Sequence, residues 1–161
     1  MSAEPELHWR ETYFIFFDAA NRPSLAAIET ALKKLNPAYE VRNPIANDAG
    51  LLESISLNSP RDNAALEITY EEGEAVVEQT TELAKQLKLE AEAEDVAKLL
   101  RASARLDVMH FEMVNDDPYA DFDDEDSMEM LDPSCLLLVV ESLVELTEGL
   151  PIDPASGAIL P

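Results

Sequence analysis

The sequence predicts an α+β fold, a two-layer domain in which a mainly antiparallel sheet is packed by helices, with a ferredoxin-like variant as one such arrangement. Three observations lead there. Thr12-Tyr13-Phe14-Ile15-Phe16-Phe17-Asp18 is an unbroken aromatic and β-branched run, the composition of a strand buried on both faces. Three short strand segments, 39–45, 52–58 and 65–70, are separated by turn formers and not by helices, which favours antiparallel neighbours over crossover units. Helix-period stripes precede and follow them.

Taken in order, Tyr13 to Phe17 makes a central strand, and Asn21-Arg22-Pro23-Ser24 breaks it. Leu25, Ile28, Leu32 and Leu35 then repeat at helical spacing, and Pro37 ends the helix. Asn47-Asp48-Ala49-Gly50 and Ser59-Pro60-Arg61-Asp62-Asn63 divide the three middle strands into a meander. In the last of these, Leu66, Ile68 and Tyr70 alternate with Glu67 and Thr69, one face on a core and one in water. Val76, Val77, Thr80, Leu83, Ala84 and Leu87 trace a second helix. An acidic interruption at 90–95 separates it from a third stripe at Val96, Leu99, Leu100 and Ser103, giving two helices or one bent helix. Leu106 to Met113 is a strand with Leu106, Val108 and His110 on one side. Asp132-Pro133 starts a mostly buried helix through Leu136, Leu137, Val140, Leu143, Val144 and Thr147, and Gly149 is the expected left-handed terminator. A turn at Asp153 to Gly157 leads to a closing strand or hairpin.

At 161 residues the chain fits one domain, 1–161, of ordinary size. A net charge of -23, from 34 acidic and 11 basic residues, argues against nucleic acid, whose affinity depends on Lys and Arg displacing counterions. The acidity is uneven, with 20 acidic and 5 basic residues in 81–161. That half would attract a cation or a basic partner, although plain solubility or adaptation to salt explains such a surface as well. Cys135 is the sole cysteine, which excludes an internal disulfide and a thiolate cluster. The expected apolar run after the polar start is too short for a signal or spanning segment, so the expectation is a cytoplasmic protein without membrane contact.

The most unusual segment is the acidic stretch 115–130, expected to be a mobile loop because its carboxylates cannot repay ordering by burial. Asp121, Asp123, Glu125, Glu129 and Asp132 occupy positions 1, 3, 5, 9 and 12 of an EF-hand-like frame. Asp126 stands where that loop requires glycine, and a strand precedes it, so the expectation is no dedicated cofactor and at most weak calcium. The same stretch carries Tyr119, Phe122 and Met128 beside Asp124 and Asp126, the makeup of a segment that docks apolar anchors while its charges meet a basic rim. Cys135, flanked by Leu136 and Leu137, reads as a core residue, and His8 and His110 read as structural, with His8 in a frayed terminus. No glycine-rich phosphate loop and no Gly-x-Ser-x-Gly motif occurs. Asp18, at the end of the aromatic run, is the acid whose burial would reopen the enzyme question.

The tail from Leu143 to Gly157, through Leu146-Thr147-Glu148-Gly149-Leu150-Pro151-Ile152-Asp153-Pro154, resembles the ending of several uncharacterised bacterial α+β domains of unknown function. In those, a helix ends at Thr-Gly-Gly and a strand follows with Asp-Pro and Gly. Here Glu148 replaces the first glycine and Pro151 interrupts the strand. The resemblance implies a bacterial source and carries over no catalytic residue. The sequence therefore points first to a non-enzymatic acidic binding or regulatory domain that contacts a basic protein. The alternatives are divalent-cation binding through 121–132, or an enzyme whose cleft only the fold would display. The apolar stripe from Leu136 to Val144 also permits a homodimer.

Overall fold

The computed structural model describes residues 6–59, 64–87, 91–114, 134–154 and 156–160. Among them are seven strands, four helices and a 3-10 turn: β1 (Glu6–Phe17), the turn Ala19–Asn21, α1 (Leu25–Leu35), β2 (Glu40–Ala46), β3 (Leu52–Ser59), β4 (Ala64–Glu72), α2 (Glu74–Leu87), α3 (Ala93–Arg101), β5 (Ala104–Val114), α4 (Ser134–Thr147), β6 (Leu150–Asp153) and β7 (Ala158–Ile159). The strands form one sheet in the order β2-β3-β4-β5-β1-β6-β7. Every neighbouring pair is antiparallel, as expected for a two-layer α+β domain. The expected α+β class holds, as do the central place of β1 and the β2-β3-β4 meander.

The alternation along β1 divides the core in two. Ile15 and Phe17 face α1 and α4, where they join Ile28, Leu32, Leu57, Leu66, Ile68, Leu106, Val108, Leu136, Val139 and Leu143 in the larger buried cluster. Phe14 and Phe16 face the other way and pack with Val76, Leu87, Leu99, Leu150 and Ile152 beneath α2 and α3. The sheet and the α1/α4 pair make two continuous layers. The α2/α3 pair covers part of the opposite face, α2 lying against β4 and β5 and α3 against β1 and β6.

Local chemistry accounts for the boundaries. Ser24 caps α1, its hydroxyl accepting from the Ala27 amide at 3.1 Å, which satisfies one of the unpaired first-turn donors. Asn47 Oδ1 accepts from the amides of Ala49 and Leu51 at 2.9 and 3.0 Å, and Gly50 closes that turn at φ 80. The edge strand β2 is irregular in register and carries Pro44, with Asn43 at φ 49, features that discourage edge-to-edge pairing.

Three expectations require correction. β1 begins at Glu6, so His8 lies within a strand opposite Glu112 rather than in a frayed terminus. A bulge between Trp9 and Glu11 accommodates Arg10, whose guanidinium reaches Glu112 at 3.4 Å. On α4 the inward stripe is Cys135, Leu136, Val139, Val140, Leu143 and Thr147, whereas Leu137 and Leu138 are exposed at 46% and 44%. At its end the left-handed residue is Glu148, at φ 55, not Gly149. The Gly149 amide bonds back to the Val144 carbonyl at 3.3 Å, a Schellman closure with Glu148 in the place glycine usually takes. Gly149 is required for a different reason: a Cβ there would lie 2.7 Å from Ile15 Cγ2 and 2.9 Å from the Phe16 carbonyl oxygen.

Candidate functional site

The predicted cation ligands Asp121, Asp123, Glu125, Glu129 and Asp132 and the predicted docking residues Tyr119, Phe122, Asp124, Asp126 and Met128 all lie outside the described residues. Among the described residues no group of three or more His, Cys, Asp or Glu is arranged to hold a metal ion, and no helix is long and apolar enough to cross a membrane. Asp18 is exposed. Its carboxylate accepts from the Ala20 amide at 3.0 Å and caps the 3-10 turn, which is a structural use. Cys135 is buried in the larger core. His110 is 4% exposed, and neither ring nitrogen has a hydrogen-bond partner. Its Nδ1 stands 3.6 Å from a Glu11 carboxylate oxygen.

A broad concavity lies on the outer side of the α1/α4 layer. It has a volume of about 860 Å³ and is walled by Ala26, Ala27, Thr30, Ala31, Lys34 and Leu35 on α1, and by Leu138, Glu141, Ser142, Glu145 and Leu146 on α4. The trough exists because the α1 wall is built of alanine and threonine, too short to fill the space between two packed helices. The same residues that bury Ile28 and Leu32 inward place Ala27 and Ala31 outward, as the helical period requires. Leucines supply the apolar surface on both sides. Glu141 and Glu145 stand one turn apart on α4, opposite the single cation Lys34. The neighbouring Lys33 is turned away, its ammonium donating to the Tyr39 carbonyl at 2.7 Å.

A second, smaller cleft of about 370 Å³ lies at the end of β1, walled by Phe17, Asp18, Asn21, Glu94, Lys98, Arg101 and Glu148. A third feature is polar and filled. Arg105 lies on the sheet face beneath α2, 4.6 Å over the Phe14 ring. It donates to Gln79 Oε1 at 2.6 Å and through two nitrogens to the Asp107 carboxylate. Burial raises the Asp107 pKa above its ordinary value, with Arg105 opposing the rise and Glu71 adding to it. This clasp ties α2 to the sheet through Gln79.

No protein-family model, curated protein or solved structure matches the chain. The reading of the site therefore rests on its own chemistry. Sequence patterns passed over the trough because its α1 wall consists of small residues that give no signal of their own. Its one visible mark is the doublet Leu137-Leu138, too many apolar residues for one inward stripe.

Proposed function

We propose that the chain is a non-enzymatic acidic binding domain that takes a basic amphipathic helix of a partner protein in the α1/α4 trough. The observation that carries this reading is the pairing of an apolar trough with an acidic wall. From Ala26 to Leu35 the trough runs about 13 Å at helical rise. That length accommodates apolar anchors at i, i+3/4 and i+7 of a docked helix. Small residues on α1 allow a partner backbone to approach closely, and exposed Leu138 offers the apolar contact that a lone polar cleft would lack. Glu141 and Glu145 select for Lys or Arg on the partner, and the net charge of -23 adds long-range steering toward a basic surface.

The test is fluorescence anisotropy with a labelled basic amphipathic helical peptide. Binding should weaken as salt rises. The double variant Glu141→Gln/Glu145→Gln should lose on the order of fivefold in affinity, since rim charges contribute about 1 kcal/mol together. Leu138→Asp should lose more. A matched double variant on α2, Glu74→Gln/Glu78→Gln, should bind like the parent. Equal losses from both charge pairs would reduce the interaction to bulk attraction and refute the trough as the site. Self-association abolished by Leu138→Asp would instead assign the face to a second copy of the chain.

A further inference from the structure

The cleft at the end of β1 combines features that the trough does not explain. Glu94, Lys98 and Arg101 stand at i, i+4 and i+7 of α3 and present one charged stripe to it. Across from them are Asp18, Asn21 and Glu148, at the end of β1 where Phe17 passes into the 3-10 turn. Bases are scarce in this chain, and the other described cations are nearly all engaged. Arg10, Arg42, Lys85 and Arg105 form ion pairs, Arg22 donates twice to the Leu52 carbonyl, and Lys33 donates to Tyr39. Lys98 and Arg101 form no ion pair among the described residues, although three carboxylates line the same cleft. Opposite charges thus line one cleft without pairing among the described residues.

The last turn of α3 accounts for part of this, because cations there are favoured by the helix dipole. It does not account for Glu148. A left-handed backbone is unfavourable for any residue with a Cβ, and at φ 55 glycine would serve the Schellman closure better. The residue present instead carries a carboxylate to the rim of the cleft opposite Lys98 and Arg101.

We propose that this cleft binds a small zwitterion of the α-amino acid class. Its carboxylate pairs with Lys98 and Arg101, and its ammonium group pairs with Glu148 and Glu94. The volume of about 370 Å³ falls at the small end of ligand sites, which suits a ligand the size of a single amino acid. This site is independent of the α1/α4 trough.

The test uses saturation-transfer NMR and thermal unfolding of the full chain with millimolar glycine, leucine and phenylalanine. Acetate and butylamine serve as single-charge controls. At least one amino acid should bind and raise the midpoint, and neither control should match it. Arg101→Met should weaken that binding at least about tenfold. Glu148→Gly separates a ligand role from a structural one, because it should raise the midpoint of the unliganded protein while weakening the amino acid. Failure of all three amino acids to bind, equal binding of acetate, or unchanged binding in both variants would each overturn the proposal.

Discussion

The two faces of the sheet share one backbone and differ in chemistry. Beneath α1 and α4 the face is apolar across four adjacent strands, from Leu57 on β3 through Leu66 and Ile68 on β4 and Leu106 and Val108 on β5 to Ile15 on β1. On the opposite face α2 and α3 cover a smaller apolar cluster at Phe14, Phe16, Leu150 and Ile152, and toward the start of β1 the same face carries the exposed Leu7 and Trp9, with Trp9 paired to Phe111. Farther along, Ser54 and Ser56 pair with Thr69 and Glu67, and Arg105 and Asp107 form a polar clasp at the border. The first face is the main source of stability. The second attaches its helices through a smaller cluster and one charged contact, which leaves sheet surface open beside them.

Substitutions on the two faces should separate these roles. Leu136→Ala, in the larger cluster, should cost about 3–4 kcal/mol by urea unfolding, and Leu99→Ala, in the smaller one, about 2 kcal/mol, since a site near an edge can relax around the cavity. An equal or larger loss at Leu99 would break the contrast. Gly149→Ala acts where both clusters meet, against Ile15 and the Phe16 carbonyl. It should destabilise by about 2 kcal/mol through overpacking, and tolerance of alanine there would mean that α4 is not fixed so tightly to β1.

The smallest effect sharpens the polar border. The Asp107 pKa is raised in the folded protein, so the folded state holds that proton more tightly than the unfolded chain. Its contribution to stability is complete below the ordinary aspartate value and is lost as pH rises through the raised one. Asp107→Asn should therefore remove a decline in stability with rising pH in that window. An identical pH profile in the variant would show that burial does not govern this group.

Much of the architecture was legible because it is local. The alternation of Leu66, Ile68 and Tyr70 with Glu67 and Thr69, the turn at Asn47 to Gly50, and the Ile28 and Leu32 stripe each depend on a few consecutive residues. Distant partners decide what the sequence concealed. Glu6 to Arg10 looks polar and terminal, yet pairing with β5 makes it strand. The side of the sheet that each helix covers depends on the register of β1 against β5, which no single segment encodes. Gly149 reads as a helix terminator until the approach of Ile15 shows that its missing Cβ matters and that Glu148 carries the turn. Neither candidate site is contiguous: the trough joins α1 to α4, and the cleft joins the end of β1 to α3 and Glu148. The EF-hand-like frame was visible as spacing alone, and its residues lie outside the described structure.

The central claim is the placement of a basic helix between α1 and α4, and amide chemical-shift mapping during titration with the basic amphipathic peptide tests it most directly. The account predicts saturable shifts concentrated at Ala27, Thr30, Ala31, Leu138, Glu141, Ser142 and Glu145, with α2 and the open sheet face unchanged. Shifts spread over the acidic surface, or centred on α2 and α3, would contradict it.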